Sequence, residues 1–100
     1  FNKLVRDKIP EIIAGRGETP FVHVADEEEY EKALTEKLHE EAAEFLENPS
    51  VEEAADILEV LRAICALKDI NLATLEEVRQ KKYNERGGFE KRIILEKTEE

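Results

Sequence analysis

Four carboxylates in the middle of the chain repeat one spacing. Glu41 and Glu44 are separated by two residues, and so are Glu53 and Asp56. On a helix, residues three apart lie on the same face, so each pair can direct two carboxylates toward one point. Carboxylate oxygens are the ligands that Mg²⁺ and Mn²⁺ prefer, and such a cation can activate water for hydrolysis. The spacing favours a metal site, although a solvent-facing acidic helix is the simpler explanation.

The position of these carboxylates among the apolar residues separates the two explanations. Glu41 lies in the apolar stripe of its predicted helix, between Leu38 and Phe45, and Glu53 lies one turn before Ile57 on the next helix. The second acid of each pair lies at the edge of the same stripe. A carboxylate in an apolar interface costs several kcal/mol unless it is paired or bound to a metal. Solvation alone does not account for this placement.

The link between the two predicted helices is short enough to bring the carboxylates together. Only “ENPS”, residues 47–50, joins the helices, so they should fold back on each other with all four acids at one level. Two carboxylates about 5 Å apart repel by about 3 kcal/mol at an effective dielectric of about 20. Few lysines or arginines fall near the stripes, so Mg²⁺ or Mn²⁺ is the favoured partner. A purely structural acidic patch is the alternative.

Capping residues and periodicity predict the elements that position the site. The fold class is all-α: an antiparallel bundle of three long helices plus a short N-terminal helix, with allowance for short strands at 21–24 and 91–97. The first predicted helix is short; Asp7 caps it, and Gly15, Gly17 and Pro20 end it. The second runs from Asp26 to about Asn48 and the third from Ser50 to about Lys68. The fourth begins at Thr74, with Glu77 three residues later, and ends at Gly87 and Gly88.

Length and composition limit the class of protein. A chain of 100 residues with 41% hydrophobic residues predicts a single folded domain over 1–100. Its hydrophobic core should be modest, so association with another subunit would add buried apolar surface. A net charge of −10 argues against nucleic acid polymers and anionic membranes as partners. The single cysteine, Cys65, is expected to be a buried, inert thiol. Without a signal-like segment or an apolar run of 18 residues in the sequence, we expect a cytoplasmic protein.

Three sequence blocks resemble a known superfamily. “EEAAE” (40–44) followed by “EEAAD” (52–56) is similar to the paired acidic motifs of the all-α nucleoside triphosphate pyrophosphohydrolases, which include MazG, dimeric dUTPases and phosphoribosyl-ATP pyrophosphohydrolase. “NKLVRDKIPEII” (2–13) and “ERGGFEKRIIL” (85–95) resemble a small single-domain branch that clears non-canonical nucleotides. The blocks are spread from residue 2 to residue 95, so the resemblance spans nearly the whole chain. One departure is the spacer of eight residues between Glu44 and Glu53, which is shorter than in many MazG relatives.

The resemblance implies an enzyme and assigns roles to its residues. Mg²⁺, with Mn²⁺ as a substitute, would bridge the triphosphate, and water held by the acidic cluster would attack phosphorus to give a nucleoside monophosphate and pyrophosphate. Glu40 would orient this water or act as base beside Glu41. Lysines and arginines are the candidates to bind the phosphates, although they could equally interact only with the helix dipole and solvent. The expected metal ligands are Glu41, Glu44, Glu53 and Asp56, the catalytic residues Glu40 and Glu41, and the substrate-binding residues Arg6, Lys8, Lys81, Lys82 and Arg86.

The resemblance also bears on the oligomeric state. The superfamily commonly builds active sites between subunits, which implies a homodimer or homotetramer.

Other functions are compatible with the same residues. A non-enzymatic helical interaction module would use the acidic patch to bind a basic partner or a structural ion. A nucleotide-binding domain could keep the metal without turnover, and phosphoribosyl-ATP could replace a non-canonical triphosphate as substrate.

Overall fold

The computed structural model describes residues 2–100, and their regular structure is entirely helical. The prediction of an all-α class is therefore confirmed. The strands allowed at 21–24 and 91–97 do not form in the described chain; a strand needs a hydrogen-bonded partner, and the side chains of Phe21 and Val24 are instead almost fully exposed. The helices of residues 2–100 are α1 (Ile9–Gly15), α2 (Glu27–Glu47), α3 (Val51–Leu67) and α4 (Leu72–Arg86).

The chain divides into two compact units. The first ends at Asp69 and contains α1, α2 and α3, and the second, Ile70–Glu100, contains α4. A single domain over 1–100 stays a prediction. In the described part of the chain, no helix combines the length and the apolar character needed to cross a membrane.

Helices α2 and α3 form an antiparallel pair, as the short link between them predicts. The Lys68 ammonium, just after α3, forms an ion pair with Glu31 near the start of α2, whereas the acids that meet across the helices lie near the connecting turn. The backbone N–H of Glu53 donates to the Ser50 hydroxyl at 3.1 Å and caps α3. Such a cap stabilises a helix by about 1 kcal/mol.

Capping residues place the helix ends, and two predicted caps are wrong. Helix α2 begins after Asp26, whose carboxylate accepts from the Glu29 backbone N–H at 2.8 Å, as predicted. Helix α1 begins after Lys8 rather than Asp7 and lacks a side-chain cap within residues 2–100. Helix α4 begins after Asn71, which accepts from the Thr74 backbone N–H. An asparagine is as strong a cap as threonine, and this one comes a turn earlier.

The core of the described chain is small. Its buried hydrophobic residues are Leu34 on α2 and Val60 and Cys65 on α3. The expected burial of Cys65 is thus confirmed. The fourth buried side chain is a carboxylate, that of Glu41, which is only 6% exposed. The contact between α2 and α3 therefore buries an acid beside a limited amount of apolar surface.

Candidate metal centre

Three of the four predicted metal ligands lie together. Glu41 on α2 and Glu53 and Asp56 on α3 each place one carboxylate oxygen within 4.8 Å of the other two. Oxygens on opposite sides of one Mg²⁺ or Ca²⁺ ion are about 4 to 5 Å apart, because the bonds are about 2.0–2.6 Å long. The spacing of these oxygens is thus within the range that one divalent cation spans. The fold forms this cluster because the turn at 48–50 reverses the chain directly between the two acidic pairs.

Two oxygen atoms in the cluster are buried without a partner. Glu41 Oε2 and Glu53 Oε2 are inaccessible to solvent and accept no hydrogen bond within residues 2–100. A buried acceptor without a donor costs about 1–3 kcal/mol, and more when it is charged. A cation bound between the two helices would compensate both oxygens. Donor type, spacing and unsatisfied atoms therefore fit a hard divalent cation.

The surroundings of Glu41 destabilise the charged form of its carboxyl. Burial raises the pKa of Glu41 above its ordinary value, and the nearby negative charge of Glu44 raises it further. The Lys37 ammonium, 3.4 Å from Glu41 Oε1, opposes this shift without cancelling it. Asp56 adds a smaller upward contribution. The ion pair with Lys37 therefore does not fully offset the effects of burial and of the neighbouring acids on Glu41.

Cations of the N-terminal segment lie at and beside the acidic cluster. Arg6 donates to Asp56 Oδ1 at 2.7 Å, and Lys3 Nζ lies 3.2 Å from an oxygen of Glu40. The sequence prediction missed Lys3 and Lys37. Lys37 could have been found from its i, i+4 spacing to Glu41, which places the two side chains on one helix face. No local spacing reveals Lys3, because its partner is 37 residues away.

The other predicted site residues lie outside the cluster of three. Glu44 is exposed on α2, and Glu40 is half-buried beside Lys3 and Lys37. Lys8 is exposed at the start of α1. The roles assigned to these residues stay predictions. In the second unit, the remaining predicted phosphate-binding residues are exposed on α4: Lys81, Lys82 and Arg86.

A cavity of about 400 Å³ opens beside the acidic cluster. Its lining includes Glu41 and Asp56 from the cluster, the cations Arg6 and Lys37, and the ring of Tyr30. Carboxylates for a metal and cations for an anion are thus available in one concave surface. This combination suits a ligand with several negative charges that arrives together with a divalent cation.

Comparisons with known proteins show one partial relationship. A protein of Mycolicibacterium smegmatis described as uncharacterized is 50% identical to this chain over 43 residues, which are 43% of this chain and 44% of that protein. The match therefore spans less than half the length of the relative. No family model matches the chain. No solved structure matches it either.

Replacing Glu41 with glutamine is expected to stabilise the metal-free protein at pH 7. A carboxyl whose pKa is raised by folding holds its proton more tightly in the folded state, so stability falls as pH rises above the ordinary value of 4.5 and through the raised value. Glutamine removes this loss. Urea unfolding in EDTA should show a higher free energy of unfolding for Glu41→Gln at pH 7 and little difference at pH 4.

Glu47→Gln is the matched control, because it makes the same charge change on an exposed position of α2. It should change stability by no more than about 0.5 kcal/mol. A Glu41→Gln protein that is less stable than wild type at pH 7 would show that the ion pair with Lys37 outweighs the burial of the charge.

Proposed function

We propose that this protein is a Mg²⁺-dependent nucleoside triphosphate pyrophosphohydrolase that releases a nucleoside monophosphate and pyrophosphate. The observation that carries the proposal is the buried Glu41 carboxylate, whose Oε2 lacks a donor within residues 2–100 and which lies beside Glu53 and Asp56. The likeness of the two acidic motifs and of the terminal blocks to the all-α pyrophosphohydrolases supports the same activity. Mn²⁺ would substitute for Mg²⁺, because both take oxygen ligands.

Glu41, Glu53 and Asp56 would hold the cation, with Glu44 as a further ligand within reach of the same helix face. When bound, the cation would neutralise polyphosphate charge and acidify the attacking water. Glu44 is exposed, so its side chain is free to turn. Its charge already acts on Glu41, which raises the pKa of that carboxyl.

The chain's own side chains would position the water and the phosphates. Glu40 lies at the edge of the cluster and pairs with Lys3, so its second oxygen is available to orient water or accept its proton. Arg6 in the cavity would contact the phosphates. Lys8 is assigned to the phosphates because it belongs to the N-terminal block that resembles the superfamily. The phosphate-binding role of Lys81, Lys82 and Arg86 on α4 stays the sequence prediction, with Arg86 favoured because it lies in the C-terminal block.

Non-canonical nucleoside triphosphates are the substrate class that the terminal blocks favour, with phosphoribosyl-ATP as the second choice. A non-enzymatic role for the acidic patch has one observation in its favour. Arg6 and Lys37 already pair with Asp56 and Glu41, so part of the acidic charge is neutralised without a metal. A structural patch of this kind would tolerate neutral replacements.

Mg²⁺ or Mn²⁺ alone is expected to raise the melting temperature of the wild-type protein. A ligand that binds only the folded state stabilises it by about 2.7 kcal/mol at a concentration 100 times its Kd. Glu53→Gln should abolish the shift, because it removes a ligand and leaves too few carboxylates. Glu52→Gln, which changes an exposed neighbour on α3, should retain it. Equal shifts in both variants would place the cation elsewhere.

Pyrophosphate release should depend on both the divalent cation and Glu53. A panel of ordinary and damaged nucleoside triphosphates is assayed with Mg²⁺, Mn²⁺ or EDTA. We expect release from at least one nucleotide with metal and none with EDTA. Glu53→Gln should lose on the order of 100-fold or more, since replacing a residue that only hydrogen-bonds to a metal ligand already costs about 10–100-fold. Full activity in Glu53→Gln would remove the site assignment, and no release from any nucleotide would remove the activity.

An exposed apolar face on α3 supports self-association. Val51 is 82% exposed, Leu58 57% and Leu61 38%. Val51 and Leu58 lie on the side of α3 away from Glu53 and Val60, and Leu61 lies between the two sides. A helix that is apolar on two opposite sides is normally buried on both. The small core of the described chain gives association a further energetic reason. A homodimer, or a homotetramer built from two of them, would cover this face.

Leu58→Glu is expected to convert the protein to a monomer. Placing a charge in an apolar interface costs several kcal/mol, which exceeds the stability of a modest interface. Light scattering coupled to size-exclusion chromatography measures the mass directly. Glu59→Gln, on a neighbouring exposed position, is the control and should keep the assembled mass. A wild-type protein that is monomeric at all concentrations would contradict the proposed assembly.

A further inference from the structure

The contact between Arg6 and Asp56 places a cation on a proposed metal ligand. The Arg6 guanidinium lies 2.7 Å from Asp56 Oδ1, although the two residues are 50 positions apart in sequence. Asp56 is also one of the three carboxylates that meet between α2 and α3. The N-terminal segment therefore brings positive charge to the same group that a divalent cation would use.

Arg6 and a divalent cation cannot both bind Asp56 without cost. Each would draw on the charge of one carboxylate, and the two positive groups would repel at short distance. The Arg6 side chain is 59% exposed and that of Asp56 38%, so their ion pair is largely solvated. Exposed ion pairs contribute little to stability. The arginine can thus leave Asp56 without a large penalty to the fold.

A phosphate group would offer Arg6 a better partner at the same place. Arg6 lines the cavity that also includes Glu41 and Asp56, so a polyphosphate bound to a cation there would be within its reach. Guanidinium groups bind phosphate through two parallel hydrogen bonds. Lys37 differs, because its ammonium lies on α2 one turn from Glu41 and can keep its partner.

We propose that Arg6 exchanges Asp56 for a phosphate oxygen when the divalent cation and the nucleotide bind. The exchange makes binding of the cation and of the triphosphate interdependent. Without phosphate, Arg6 competes with the cation for Asp56. With phosphate, the released guanidinium holds the substrate. This inference rests on the proposed function and adds to it a residue that favours a cation–polyphosphate complex over a free cation.

Arg6→Gln in the full chain tests the exchange through two binding measurements with opposite expected signs. Mn²⁺ affinity in the absence of phosphate, measured by electron paramagnetic resonance, should rise by roughly three- to tenfold because a competitor is removed. Affinity for a non-hydrolysable α,β-methylene nucleoside triphosphate in saturating Mn²⁺ should fall by roughly tenfold, because a charge-assisted hydrogen bond is lost.

Two further variants control for charge and for folding. Arg62→Gln makes the same substitution on an exposed position of α3 whose side chain forms no ion pair within the described residues, and it should leave both affinities unchanged. Arg6→Lys keeps the charge and loses the two-pronged donor. It should bind Mn²⁺ like wild type and bind the analogue more weakly.

The Arg6→Gln variant tests the exchange, whereas the wild-type protein tests the proposed function. If Arg6→Gln changes both affinities in the same direction, or lowers the Mn²⁺ affinity, the exchange is overturned while the proposed function stands. If the wild-type protein itself binds Mn²⁺ but neither the analogue nor any triphosphate of the hydrolysis panel, the proposed function fails and the exchange fails with it. Opposite changes in Arg6→Gln, absent in Arg62→Gln, support the exchange.

Discussion

The burial of the Glu41 carboxylate between α2 and α3 is the constraint on which the first unit depends. This side chain is one of four buried in the described chain, and the other three are apolar. It also faces Glu53 and Asp56, so the helices cannot approach without bringing like charges together. Helix packing and acid repulsion are therefore opposed at the same contact. Any neutralising group at this contact acts on stability and on chemistry at once.

The chain supplies part of this neutralisation itself. Lys37 acts from the same helix face as Glu41, and the N-terminal segment adds Arg6 and Lys3 at the edge of the cluster. Burial and the nearby charge of Glu44 nevertheless raise the pKa of Glu41. Glu41 Oε2 and Glu53 Oε2 are buried and accept no hydrogen bond within residues 2–100. A divalent cation would be a compact group able to satisfy both oxygens.

Local patterns in the sequence predicted the helices and the meeting of three acids. Capping at Asp26 and Ser50 and the short link at 47–50 determine where α2 and α3 begin and how they face each other. The ion pair of Arg6 with Asp56 could not be predicted, because it depends on the path of an N-terminal segment without regular structure before α1. Glu44, which the sequence places at the edge of the apolar stripe, is exposed on α2, and its role as a metal ligand stays a prediction.

The predicted start of α4 was wrong because two residues close together in the sequence can cap a helix. Asn71 and Thr74 are both acceptable caps, and the sequence offers both within one turn. The apolar residues at 21–24 and 93–95 suggested strands, yet propensity alone does not form a strand without a partner. Local patterns therefore located the helices, although two of the predicted caps were wrong, whereas contacts between distant segments could not be read from them.

The turn at 48–50 has a consequence for the order in which the molecule folds. Contacts between residues close in sequence form early, so the α2–α3 hairpin should assemble before the distant N-terminal segment docks. The three acids then approach one another before Arg6 contacts Asp56. Their mutual repulsion would oppose the closing of the hairpin before Arg6 offsets part of it, so acidic pH or a divalent ion in the medium would speed this step.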